Sequence, residues 1–129
     1  MRNWKEEDLF NYLKENYYPD LVKASDPTSR WDCYSATASH RIELKCRTSH
    51  YDKLMIENKK HKAMLDKCRG TFEIPMYINS TPEGVFRFNL KTFRPRWQSM
   101  RLRKTTHFND ANRVEKQVGF LSITKADKL

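Results

Sequence analysis

The sequence predicts an α/β chain in which a central four-stranded mixed sheet is flanked by helices. Three observations carry that expectation. Apolar residues recur at helical spacing near the N-terminus (Leu9, Phe10, Leu13, Tyr17) and again between about Tyr51 and Cys68. Between those stretches the run from Arg41 to Arg47 alternates in the manner of a strand. After the second, Phe72 to Asn79 and Val85 to Leu90 read as two further strands joined by the turn-rich loop 80–84.

Length and composition bound the rest. At 129 residues the chain makes one domain, 1–129, large enough for a real core. Lys and Arg number 25 against 16 Asp and Glu, a formal net charge of +9 that suits a polyanionic partner, with nucleic acid first. A membrane surface is disfavoured, because no basic helix presents an aromatic face. No apolar run approaches the roughly 20 residues that span a bilayer. The opening Met-Arg-Asn-Trp-Lys-Glu-Glu lacks the apolar segment of a signal peptide, so a cytoplasmic location is expected. Cys33, Cys46 and Cys68 are odd in number and show neither CxxC spacing nor paired His, which points to reduced, mostly buried thiols. Nothing suggests a small-molecule cofactor.

Taken in order, Asn3-Trp4-Lys5-Glu6 has the form of a capping box opening a helix to about Tyr17. Glu6 stands three and four residues before Leu9 and Phe10, and so falls inside the apolar stripe and points inward; Glu7 lies off it. A glutamate at that position also serves its own cap. Tyr18-Pro19-Asp20 ends the helix, and the polar, turn-rich stretch to Arg30 reads as a loop.

The strand from Arg41 to Arg47 places Ile42, Leu44 and Cys46 on one face and Arg41, Glu43, Lys45 and Arg47 on the other. With Trp31 to Ser35 as the antiparallel partner and Ala36-Thr37-Ala38-Ser39 as a hairpin loop, Ser35 pairs with His40, and counting outward sets Asp32 opposite Glu43. Carboxylates facing one another across a ladder repel unless a positive group lies between them, and a divalent cation resolves the conflict. The plainer alternative is a salt bridge from Glu43 to Lys45 or Arg41 on a solvated strand.

Ser49-His50-Tyr51-Asp52 offers a second capping box, with a helix to about Cys68 and Gly70 as its stop. Its stripe is Tyr51, Leu54, Asn58, His61, Leu65 and Cys68. Asn58 and His61 are the polar exceptions, fitting either a structural role or an approach to the site; Lys53, Lys59, Lys60, Lys62 and Lys67 read as a solvated outer surface. Pro75 marks its strand as an edge or a bulge. The basic C-terminal segment begins at about residue 87. It carries Arg87, Lys91, Arg94, Arg96, Arg101, Arg103 and Lys104 without an Asp or Glu among them, and Phe93 and Trp97 lie within it. Cations beside aromatics suit phosphate contact with stacking on exposed bases; alternatively Phe93, Trp97, Met100 and Leu102 pack on the sheet. Residues 109–112 have the character of a helix cap, and Val118, Phe120 and Leu121 fit its continuation or a last strand.

Asp32, a short hairpin, then Glu43, Leu44 and Lys45 resemble the motif of the PD-(D/E)XK nuclease superfamily, and the amphipathic stretches before and after match its restriction-endonuclease-like core. The likeness covers about residues 4 to 90; Trp31 stands where the motif has Pro. The resemblance implies that Asp32, Glu43 and the Leu44 carbonyl bind Mg²⁺, with Mn²⁺ substituting, that Lys45 assists the attacking water, and that the preceding helix supplies a further acid, here Glu6. It implies an endonuclease acting on DNA. Nucleic-acid contact falls to Arg87, Lys91, Arg94, Arg96, Trp97, Arg101, Arg103 and Lys104. A chain this small offers one active site, so cutting both strands requires a homodimer or successive nicks. In its compactness the sequence resembles small phage-encoded endonucleases, which would place it in the host cytoplasm. A Holliday junction or branched-DNA resolvase of the same fold, a nucleic-acid binder without turnover and a protein that meets an acidic protein partner are the alternatives.

Overall fold

The computed structural model describes residues 3–103 and 113–129, Arg103 by its backbone. The elements run α1 (Glu6–Asn16), β1 (Val22–Lys23), β2 (Cys33–Ser35), β3 (His40–Cys46), β4 (Lys53–Glu57), α2 (Asn58–Cys68), β5 (Ile74–Thr81), β6 (Gly84–Asn89), β7 (Gln98–Arg103), β8 (Arg113–Ser122) and β9 (Asp127–Lys128). A 3₁₀ turn, Ile123–Lys125, separates the last two. Six strands form a mixed sheet in the order β1-β2-β3-β5-β6-β9, and three form an antiparallel sheet in the order β4-β8-β7. The expected four-stranded core is β2, β3, β5 and β6; two-residue strands extend it at both edges.

Alternation along the central strands divides the core. Ile42, Leu44, Met76 and Ile78 face α1 and meet its stripe of Leu9, Phe10 and Leu13. Tyr77, Phe86 and Phe88 face the other way and pack with Leu54, Ile56, Met64 and Leu121 from β4, α2 and β8. Because β3 and β5 are parallel, the chain needs a crossover between them, and β4 with α2 supplies it.

Several expectations need correction. The helix expected over 51–68 is a strand followed by a shorter helix. Leu54 and Ile56 are buried at strand spacing and Lys53–Glu57 pairs with β8, so pairing with a segment some 65 residues on overrides local helix preference. Ser49 to Asp52 therefore caps nothing. At the N-terminus the cap is Lys5, whose N–H donates to Asp8 Oδ2 at 2.9 Å, two residues later than the Asn3 box. Val22 and Lys23 form an edge strand in the expected loop. Pro75 lies in an interior strand, but the β5–β6 ladder begins at Met76, so its missing N–H costs that ladder nothing; its carbonyl accepts from Leu90 N–H at 2.9 Å. Val118, Phe120 and Leu121 belong to β8. The expected cap at 109–112 lies outside the described residues. Cys33, Cys46 and Cys68 are free thiols, two buried and one half-buried.

Candidate metal and nucleic-acid site

The hairpin register is the counted one: Ser35↔His40, Tyr34↔Arg41, Cys33↔Ile42. At Asp32 the chain leaves the ladder. The Asp32 N–H donates to the Ile42 carbonyl at 2.8 Å, one residue out of register, and its own carbonyl accepts from Ala24 N–H at 2.8 Å. Held from both sides, Asp32 turns its carboxylate onto the next part of β3, where Oδ2 accepts from Leu44 N–H at 2.7 Å. The Leu44 carbonyl leaves β3 on that same edge, since N–H and C=O of one strand residue share an edge.

Asp32 and Glu43 adjoin, side chain to side chain. Burial first, and then the Asp32 charge, push the Glu43 carboxyl up to about 7, against the pull of Lys60. Lys60 Nζ stands 3.2 Å from Glu43 Oε2, and the Glu43 side chain is only 16% exposed. This corrects two expectations. Lys60 is no outward cation: α2 buries His61, Met64 and Cys68, and the residue beside that stripe reaches the sheet. The partner of Glu43 is neither Lys45 nor Arg41. Arg41 bonds Glu73 at 2.9 Å and lies over the adjoining rings of Trp31 and Tyr34. Lys45 is exposed on the Glu43 face, and no ion pair engages it among the described residues.

Glu6, expected to point inward, is instead solvent-exposed, because only Leu9, Phe10 and Leu13 of α1 are buried; it stands at the mouth of a cavity of about 200 Å³ that Asp32 and Leu44 also line. Partial burial and the Asp32 charge raise its carboxyl above the ordinary value, so it senses the pair without joining it. Glu7 instead pairs with Lys23. His61 does not approach the carboxylates: it is buried, its Nε2 lies 3.2 Å from the Leu90 carbonyl, and its ring packs on Trp97. Asn58 begins α2, half-buried.

A divalent cation fits the donor set at Asp32 and Glu43. Two hard carboxylates are pressed together until one of them resists ionisation, and a carbonyl shares their edge. Among the described residues no three His, Cys, Asp or Glu side chains gather as a ligand cluster. Water and the Leu44 carbonyl would complete the shell of a hard divalent cation held there.

The basic segment divides. The Arg87 guanidinium bonds Asp127 Oδ2 at 3.1 Å and Tyr18 OH at 2.9 Å, tying the sheet edge to the loop after α1, and so is committed to structure. Trp97 is half-buried: it packs on His61 and, with Phe93, against the core, as the packing alternative expects. Gly119 admits this crossing, since a Cβ there would lie 2.6 Å from Pro95 Cβ and 3.0 Å from the Trp97 ring. Lys91, Arg94, Arg96 and Arg101 remain exposed. Arg103 ends β7, and Lys104 lies outside the described residues. Sequence reasoning missed Lys60 and the Arg47 fork, which donates to Asn79 Oδ1 and the Met55 carbonyl, each at 2.6 Å, and joins β3 to β4. The signal for Arg47 was its parity with Glu43 and Lys45; Lys60 had none in the sequence.

No protein-family model matches the sequence, and no curated protein matches it. The structure is similar to that of Archaeoglobus fulgidus Hjc, a Holliday junction resolvase from an archaeal hyperthermophile, with a TM-score of 0.53 and 14% identity over 92% of this chain and 88% of that one. The expected likeness to phage-encoded endonucleases finds no support in these comparisons. At that identity the match speaks to fold alone, and it agrees with the mixed sheet and the two helices: the chain has an α/β restriction-endonuclease-like fold.

Proposed function

We infer that this protein, acting as one domain, is a metal-dependent DNA endonuclease. The observation that carries the reading is the Asp32–Glu43 pair, placed at the end of the hairpin and fixed by the Leu44 N–H. A fold stabilised for its own sake gains nothing from adjoining, half-neutralised carboxylates. Mg²⁺ bound there would relieve their repulsion and supply charge to the phosphoryl oxygens and leaving group. Asp32 and Glu43 hold the ion; Leu44 adds its carbonyl. Lys45, on the Glu43 face and exposed, orients the attacking water or accepts its proton and offsets charge in the transition state. Glu6 keeps the cavity wall acidic and orders water at its mouth. Lys91, Arg94, Arg96 and Arg101 contact backbone phosphates.

A branched substrate is the second reading. The structural match is to a protein described as a Holliday junction resolvase, and it covers nearly the whole of both chains. Both readings are tested by incubating supercoiled plasmid and a four-way junction with wild type and Lys45→Ala in Mg²⁺, Mn²⁺ or EDTA, with binding followed in Ca²⁺. Wild type is expected to cut only with Mg²⁺ or Mn²⁺, and the variant to bind normally but cut at least about 100-fold more slowly. Faster cutting of the junction than of the plasmid selects the branched reading. Metal-independent cutting, or none on either substrate, refutes the nuclease assignment.

A further inference from the structure

A groove of about 560 Å³ lies where the 92–96 segment passes the three-stranded sheet, apart from the carboxylate pair. Four of its lining residues are cations: Arg94 and Arg96 from that segment, Lys53 from β4 and Lys125 from the 3₁₀ turn. No acidic residue lines it, and none of the four is in an ion pair among the described residues. Lysines and arginines gathered from three separate parts of the chain, with no counter-charge, repel one another, and the fold brings them together nonetheless. Such an arrangement is relieved by a polyanion.

Two further residues narrow the ligand. Phe120 is 37% exposed in the same groove, an aromatic face set among the cations. Gln98 adds an exposed amide. A duplex keeps its base faces stacked inside and offers only phosphates and base edges, whereas an unpaired strand offers phosphates together with open base faces. We propose that this groove binds an unpaired nucleic-acid segment, with Lys53, Arg94, Arg96 and Lys125 on successive phosphates and Phe120 stacking on a base. The proposal deepens the nuclease reading, on which it rests for its choice of nucleic acid: it gives the enzyme a second foothold that favours substrates with a single-stranded tail or branch.

The test is anisotropy of a labelled 12-nucleotide single strand and of a blunt duplex, in Ca²⁺ over a series of salt concentrations. Wild type is compared with Arg94→Ala/Arg96→Ala, with Lys53→Ala/Lys125→Ala, with Phe120→Ala, and with Lys59→Ala/Lys62→Ala, which removes equal charge from α2. Each groove double variant is expected to weaken single-strand binding at least about tenfold and to lower the salt slope by one to two. Phe120→Ala should weaken it about fivefold with the slope unchanged, in line with loss of one base stack. The α2 pair should change little. Equal losses in the groove and α2 variants, or tighter binding of duplex than of single strand by wild type, would overturn the proposal. Plasmid and junction cleavage run in parallel separates the two claims. Groove-dependent binding without cleavage leaves this site standing and removes the nuclease reading; cleavage with groove-independent binding does the reverse.

Discussion

Glu43 is the residue at which the chemistry of this fold becomes measurable. Burial, and then the Asp32 charge, push its carboxyl up to about 7 in the folded chain from an ordinary value of 4.5. Between those values the folded state holds a proton that the unfolded state has released, so stability falls as pH rises from about 4.5 to 7. Glu43→Gln has no such proton. In EDTA its thermal stability should lack that decline, and above pH 7 it should exceed wild type by on the order of 2 kcal/mol. A wild-type profile parallel to that of the variant across this window would show that the pair is not strained. Lys60 holds Glu43 down, so Lys60→Met should extend the decline to higher pH with its onset unchanged, read by melting curves in steps of pH. The alternation of Ile42 and Leu44 against Glu43 and Lys45 was legible in the sequence, because period two on a half-buried strand has one solution. Lys60 was not: beside four other lysines, nothing local separates the cation that turns to the sheet from those that turn to water.

At the scale of elements, the hairpin was legible and the crossover was not. A four-residue loop fixes its own register, and the count from Ser35↔His40 located Asp32 beside Glu43 even though the chain leaves the ladder there. The stretch from Lys53 to Glu57 is five residues long and runs directly into α2, so its helical spacing extends the helix on paper. Its partner is β8, and only long-range pairing reveals a strand. The 92–97 segment shows the same limit, since Trp97 and Phe93 beside arginines look like a stacking surface until Gly119 opens the space that takes them inward. Gly119→Ala should therefore cost about 1–3 kcal/mol in denaturant unfolding, because the added methyl meets Pro95 and Trp97. A variant as stable as wild type would mean that the segment does not pack there. Cleavage, if the stability loss is tolerated, should survive, since the crossing lies outside the carboxylate pair.

At the scale of the molecule, the mixed sheet presents the carboxylates and the second sheet presents the cations. The net charge of +9 suits a polyanionic partner without locating where it would bind. The fold divides that charge: Arg87 and Arg41 are taken up in structure, Lys60 balances the site, and Lys53, Arg94, Arg96 and Lys125 are left to gather in one groove. Asp32→Asn and Glu43→Gln should each abolish cleavage while DNA binding in EDTA is kept or strengthened, because each removes a negative charge facing the backbone. If the pair holds a divalent ion, calorimetric titration of Mn²⁺ at pH 8, where Glu43 is ionised, will show it. Wild type should take up one ion at a site that Asp32→Asn and Glu43→Gln each lose, with all three proteins folded by circular dichroism. Equal uptake by the three proteins, or none by wild type, would mean that Asp32 and Glu43 hold no ion.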